Sequence, residues 1–274
     1  MEIMIKSDYE EMSHFTAQII ANQIREKPNS VIGLATGSTP LGTYKKLIQM
    51  YKEEGLDFKE VSTFNLDEYF GIGIDLSKSP ECDQSYARFM YENLFRHVNL
   101  NPDNTFVPNG RINGKNIEDY CREYEEKMKR RGGVDMQILG IGLDGHIGFN
   151  EPGSSLYSRT RLEFLDESTL EINWEKFYKK AGGKKEDMPH FAITMGIGTI
   201  FEAGHLLLLA NGESKSEILK HALEGPITSQ ITASYLQLHP KLTVLLDEQA
   251  ANKLQRYNYY KHVEELKTKF LMQR

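Results

Sequence analysis

Residues 134–152, VDMQILGIGLDGHIGFNEP, decide the fold. The first half is an apolar run of strand length. The second is a glycine-punctuated turn that carries Asp144, His146 and Glu151 and closes on a Glu-Pro pair, which regular helix excludes. The same order of apolar run, polar turn and helix-spaced segment recurs on either side. SVIGLA (30–35) leads into TGSTP, VSTFN (61–65) into LDEY, and HLLLLA (205–210) into NGESK, while KLTVLLD (241–247) precedes a long final segment. Apolar residues at helical spacing mark 8–27, 41–54, 83–97, 116–131, 213–223 and 248–270, with a capping box expected from Ser7 and Glu10. Buried strands alternating with amphipathic helices specify an α/β fold, a Rossmann-like three-layer α/β/α arrangement around a mostly parallel sheet.

No linker, repeat or low-complexity tract interrupts the pattern, so one domain is expected over 1–274. Residues 158–189 fit the alternation least: RTRLEFL reads as a strand, and the polar, Gly-containing stretch after it reads as an insertion or lid. Of 274 residues, 39% are hydrophobic, ample for a sizeable core, and 39 acids against 33 bases give a net charge of −6. That balance supplies no basic field for nucleic acid. Cys82 and Cys121 are too few and too far apart for a disulfide framework and suit a reducing cytoplasm. No apolar run reaches membrane-spanning length, so no membrane partner is expected.

In an open parallel sheet, ligands bind beyond the carboxyl ends of the strands, where strand order reverses. The turns after the strands are therefore where chemistry is expected. Thr36, Gly37, Ser38 and Thr39 lie between a strand and a helix, with Pro40 suited to the first helical position. Backbone N–H groups, two hydroxyls and a helix dipole can there cradle an anion. A plain capped turn is an equal alternative, since neither GK[ST] nor GxGxxG is present. Lys215 in GESK can add a positive charge to such a cradle or remain a solvated lysine. Asp144, His146 and Glu151 suit general acid/base work, because carboxylates stabilise an imidazolium. A metal site and a structural histidine are the competing readings; the metal is discounted for want of a second histidine at ligand spacing. Asp67 and Glu68 follow a buried strand, and a loop there can point one acid into a pocket and the other away. An aspartate over a sugar carbon next to a carbonyl can move its proton, as aldose–ketose isomerisation requires.

ATGSTP, FNLDEY, GIGLDGHIGFNEPGSSLYSRTR and SYLQLHP, in this order and spacing, resemble the glucosamine-6-phosphate deaminase family over essentially the whole chain. DGH alone also occurs in the related phosphogluconolactonases; LDEY and NEP point to the deaminases. The resemblance implies ring opening, isomerisation and loss of ammonia from a phosphorylated amino sugar, with no cofactor, no metal and a homo-oligomeric assembly. It implies His146 as the ring-opening acid/base, Asp144 and Glu151 as its partners and Asp67 as the base at C2. Thr36, Gly37, Ser38, Thr39 and Lys215 would hold the phosphate. Galactosamine 6-phosphate deamination and lactone hydrolysis are the alternative activities. Two departures stand out. NWEKFY places Glu175 or Lys176 where many relatives carry a phosphate-binding arginine. Ser154 and Arg161 match an allosteric site of some bacterial relatives, but Glu163 and Phe164 follow, and an acid there would repel an anionic activator.

Overall fold

The computed structural model describes residues 1–72, 85–112, 116–175, 179 and 188–272. In chain order these form β1 (Glu2–Lys6), α1 (Tyr9–Glu26), β2 (Val31–Leu34), α2 (Leu41–Glu54), β3 (Ser62–Asn65), β4 (Asp67–Tyr69), α3 (Tyr86–Asn93), β5 (Thr105–Phe106), α4 (Ile117–Arg130) and β6 (Met136–Leu139). There follow β7 (Arg161–Phe164), α5 (Glu167–Asn173), β8 (Phe191–Thr194), α6 (Ile197–Phe201), β9 (Leu206–Ala210), α7 (Ser216–Glu224), β10 (Leu242–Asp247), α8 (Glu248–Ala251) and α9 (Tyr257–Met272).

Seven strands form one parallel sheet in the order β1-β10-β9-β6-β2-β3-β5, flanked by helices. The apolar strands read from the sequence are its centre. Every residue of β2, β6, β9 and β10 is buried, as expected for strands covered on both faces. Truncating one of these leucines, such as Leu208, removes packing worth about 2–5 kcal/mol. Strand order reverses between β2 and β6, so the turns after these two strands, TGSTP and GIGLDGH, face each other across the switch point.

A second, antiparallel sheet, β4-β8-β7, was not legible as such. The chain leaves β3 at Leu66, whose carbonyl accepts from Met195 N–H at 2.7 Å, and Asp67 to Tyr69 pair with Ala192 to Thr194. Asp67 and Glu68 therefore sit in a strand rather than the expected loop. A small core of Tyr69, Phe149, Leu165, Leu170 and Met188 backs this sheet. The expected insertion at 158–189 contributes β7 and α5; residues 176–178 and 180–187 lie outside the described ones.

Two helix boundaries depart from expectation for electrostatic reasons. The cap of α1 falls on Asp8, not Ser7, because a carboxylate is the stronger acceptor: Asp8 Oδ1 takes the Glu11 N–H at 2.8 Å and Glu11 Oε2 takes the Ser7 N–H at 2.7 Å. The segment expected as one helix from 248 to 270 breaks after Ala251. Glu224 accepts the N–H groups of Gln255 and Arg256 at 2.7 and 3.0 Å and so starts α9 afresh. From there α9 covers the edge strand: Glu264 accepts from Ile5 N–H at 3.2 Å and pairs with Lys6.

His205 lies immediately before β9, its Nε2 2.9 Å from Thr243 Oγ1. Burial, helped by the Lys241 charge, pushes this imidazole down to about 4. The unfolded chain takes up the proton near pH 6.5, so folding stability falls as pH drops from about 6.5 to about 4. We expect the melting temperature of His205→Gln to decline less than that of the wild type between pH 7 and 5. Parallel declines would show that His205 does not contribute to acid sensitivity.

Candidate active site

The switch point opens into a cleft of about 230 Å³. Thr36 to Thr39 form one wall, Gly140 to Leu143 with His146 another, and Asp67, Tyr69 and Tyr86 a third, with Lys215 and Thr169 at the margins. Elements up to 179 residues apart in sequence thus meet in one space, because parallel strands all end on the same side of the sheet.

The first wall is a turn in which Gly37 takes φ +98°, a conformation that side chains disfavour. Tyr9 from α1 holds the turn: its hydroxyl donates to the Ser38 and Thr39 carbonyls, 3.1 Å from each, and accepts the Gly42 N–H at 2.7 Å. The Thr39 hydroxyl donates to Asn211 Oδ1 at 2.9 Å, tying the turn to the loop after β9. That loop is fixed in turn by Asp247, whose two oxygens each lie 3.0 Å from the Gly212 nitrogen. Beyond it, Lys215 Nζ donates to the Ile141 carbonyl at 2.6 Å and so reaches the loop after β6. A flexible cation, two hydroxyls and the start of α2 therefore share the cleft margin, a setting suited to phosphate.

The histidine loop is locked from both sides. Asn150 Nδ2 donates to the Ile147 and Met195 carbonyls at 2.9 and 2.8 Å, and Phe149 N–H donates to Thr194 Oγ1 at 3.1 Å. From the other direction Ala233 N–H donates to the Gly145 carbonyl at 2.8 Å and Thr232 Oγ1 to that of Asn150 at 2.9 Å. Within the loop, His146 Nδ1 lies 2.8 Å from Asp144 Oδ1 and 3.8 Å from Glu151 Oε2. Neither approach is aligned as a hydrogen bond, and both Nδ1 and Glu151 Oε2 are buried without such a partner. Burial opposes ionisation of Asp144, but the His146 ring outweighs it and holds the carboxyl below its ordinary value. Glu151 shifts the other way, raised by burial.

Among the described residues, these three side chains are a group that could ligate a metal, with ligand atoms within 4.8 Å of one another. Nδ1 and Oδ1 stand 2.8 Å apart. Two ligands on a tetrahedral zinc ion would stand about 3.3 Å apart.

Asp67 faces this loop from β4; a Cβ added at Gly148 would come within 3.5 Å of its Oδ2. Burial, and then the neighbouring Glu68, push its carboxyl up to about 8. Glu68 points to the other side and does not line the cleft. Tyr86 and Thr169, both lining residues, were missed by sequence reasoning, since neither follows a strand of the main sheet.

Ser154 and Arg161 also come together, apart from the cleft lining. Arg161 Nη2 donates to Ser154 Oγ at 3.1 Å and pairs with Glu163, while Nη1 donates to Asn150 Oδ1 at 2.9 Å. Phe164 is exposed. Lys176, the position considered for phosphate binding, lies outside the described residues.

Fold and cleft together define an α/β enzyme that works on a small molecule at the switch point of its sheet. The chain belongs to the family described as glucosamine-6-phosphate isomerases/6-phosphogluconolactonase, whose model matches residues 7–244. It is 47% identical over 252 residues to a glucosamine-6-phosphate deaminase of Thermoanaerobacter pseudethanolicus, covering 92% of this chain and 94% of that one. Glucosamine-6-phosphate deaminase 2 of Bacillus subtilis is 47% identical over 255 residues, 93% of this chain and 98% of its own. A solved structure described as a monomeric glucosamine-6-phosphate deaminase superposes with a TM-score of 0.84 at 43% identity, covering 92% of this chain and all of that one. The 6-phosphogluconolactonase of Trypanosoma brucei shares the fold at 20% identity and a TM-score of 0.66, over 92% of this chain and 98% of that one.

Gly142 offers a test of how the histidine is held. A Cβ there would meet Asp144 Oδ1 at 2.5 Å and His146 Cε1 at 2.6 Å. Gly142→Ala is expected to displace the imidazole and lower turnover by about 10²-fold with little change in melting temperature. Unchanged turnover would mean that this packing does not place the ring.

Proposed function

We propose that the protein converts glucosamine 6-phosphate and water to fructose 6-phosphate and ammonia. One observation carries this reading: a buried aspartate and a carboxylate-flanked histidine face the same cleft as an anion-suited turn. Lactone hydrolysis uses an activated water and has no need of a second, desolvated base. Removal of a proton from carbon does need one.

The steps follow from the groups present. The turn at 36–39 and Lys215 grip the phosphate, so binding energy remote from the reacting carbons places C1 and C2. His146 passes protons between O1 and the ring oxygen to open the sugar. Asp144 and Glu151 flank its ring, with carboxylate oxygens 2.8 and 3.8 Å from Nδ1. Asp67 then takes the proton from C2. In the empty cleft it holds its own proton up to about pH 8. A substrate ammonium on C2 favours the carboxylate by direct charge attraction, so the substrate itself arms the base. The ammonium gives a proton to the C1 enolate oxygen, leaving an amino-enol. Returning the Asp67 proton to C1 then leaves an iminium at C2; water adds to it, and the resulting carbinolamine loses ammonia to give the ketone. No organic cofactor enters this sequence.

Arg161 is read as structural rather than regulatory, since Glu163 already supplies the anion that an effector would bring. The hydrolase classification, the cytoplasmic setting and a homo-oligomeric state belong to the same reading. The monomeric relative makes sedimentation velocity the measurement that decides the last of these.

A coupled assay for ammonia and fructose 6-phosphate tests the proposal across the gluco, galacto and N-acetylated hexosamine 6-phosphates and 6-phosphogluconolactone. Both products are expected from the gluco substrate, with a rate unaltered by added N-acetylglucosamine 6-phosphate. Lactone turnover without ammonia would overturn it. Asp67→Asn is expected to lower kcat by about 10²–10⁴-fold. The same variant should melt higher above pH 5. Wild-type Asp67 ionises near 3.8 when unfolded and near 8 when folded, so stability is lost as pH rises between those values. A variant with normal turnover, or an unchanged melting temperature, would remove Asp67 from this role.

A further inference from the structure

Glu68 adjoins the base in β4, yet its carboxylate points away from the cleft and is fully buried, with no exposed surface. Four donors converge on it. Oε1 accepts from the N–H groups of Tyr69 and Tyr86, each at 3.0 Å, and Oε2 from Ser85 Oγ at 2.7 Å and Ala87 N–H at 3.1 Å. Ser85 to Ala87 begin α3, whose Tyr86 and Phe89 line the cleft together with Asp67. A single side chain thus joins the strand that carries Asp67 to a helix that lines the pocket. A neutral cap would hold α3 without desolvating a second acid beside the first.

We propose that Glu68 is a positioning residue for the reaction: gripped by the first amides of α3, its anion fixes the base-bearing strand against this cleft-lining helix and sets the field in which Asp67 works. This rests on Asp67 being the base. Repulsion from Glu68 adds to burial in pushing Asp67 up to about 8, and burial pushes Glu68 itself up to about 7 despite its four donors. Among the described residues, the other titratable groups facing the pair are Tyr69 on β4, Tyr86 on α3 and Tyr120 and Tyr124 on α4, with His146 and Lys215 also lining the cleft. All four tyrosines are raised by burial and stay neutral in this range, and β8 faces the pair with Ile193 and Thr194. The two carboxylates therefore titrate against each other.

The test is the pH dependence of kcat/KM for the full chain with glucosamine 6-phosphate. Activity needs ionised Asp67, so it falls on the acid side. Removing the Glu68 charge lets Asp67 ionise more easily and moves that acid limb to lower pH. Glu68→Gln should shift the limb down by about one unit, lower kcat through a weaker base and raise KM as α3 loosens. Glu68→Asp keeps the charge and should leave the limb near the wild-type position while KM rises. Ser85→Ala removes one donor, so Glu68 protonates at higher pH. Its limb should move the same way by less, and it carries the test if Glu68→Gln does not fold.

Limbs that stay in place in Glu68→Gln, or in Ser85→Ala where Glu68→Gln is unfolded, would overturn the proposal and leave Glu68 as a structural cap. A limb that moves equally in Glu68→Asp would overturn it too. An active Asp67→Asn is a separate outcome: it refutes the choice of base itself.

Discussion

Keeping a carboxylate away from water is the constraint on which this site depends. Moving the proton affinity of Asp67 from 3.8 to about 8 corresponds to a folding penalty on the order of 6 kcal/mol once its ionisation is forced. Such a penalty is a large share of the stability of an ordinary domain. The fold carries it with a parallel sheet whose central strands are buried throughout. In the mechanism we propose, what it gains is a base strong enough to take a proton from carbon, in a pocket where the substrate's own cation releases it.

The topology explains how these groups meet. Because β2 and β6 are neighbours whose chains run outward in opposite directions, the turns after them face each other without a long loop. The second sheet then does what the first cannot: by leaving β3 at Leu66, the chain swings Asp67 over the histidine loop and buries it against β8. Side-chain hydrogen bonds from Tyr9, Asn150, Thr232 and Asp247 hold the loops that surround the reacting atoms. Placement of this kind is what proton-transfer chemistry requires, since errors of an ångström at the reacting carbon cost orders of magnitude in rate.

Much of this was legible in the sequence, because apolar runs such as HLLLLA and KLTVLLD have few other uses and glycine-rich turns after them mark strand ends. The residues DGH and NEP declared themselves by local composition. Other features had no such signal. The strand Asp67–Tyr69 is three residues long and carries two acids, so strand propensity argues against it; tertiary pairing with Phe191–Thr194 overrides that preference. Tyr86 and Thr169 reach the cleft from elements outside the main sheet, so no strand-end rule selects them. The cap at Asp8 rather than Ser7 shows the limit of motif matching, where two acceptors compete and the charged one wins.

The central claim, that one fixed carboxylate moves hydrogen from C2 to C1, is tested most directly by the stereochemistry of the product. Turnover in deuterium oxide with glucosamine 6-phosphate, followed by NMR of the isolated fructose 6-phosphate, reads which face of C1 received the proton. A single shielded base predicts that the new hydrogen, whether from solvent or from the substrate's own C2, lies on one face only. Label distributed equally over both faces of C1 would contradict the account.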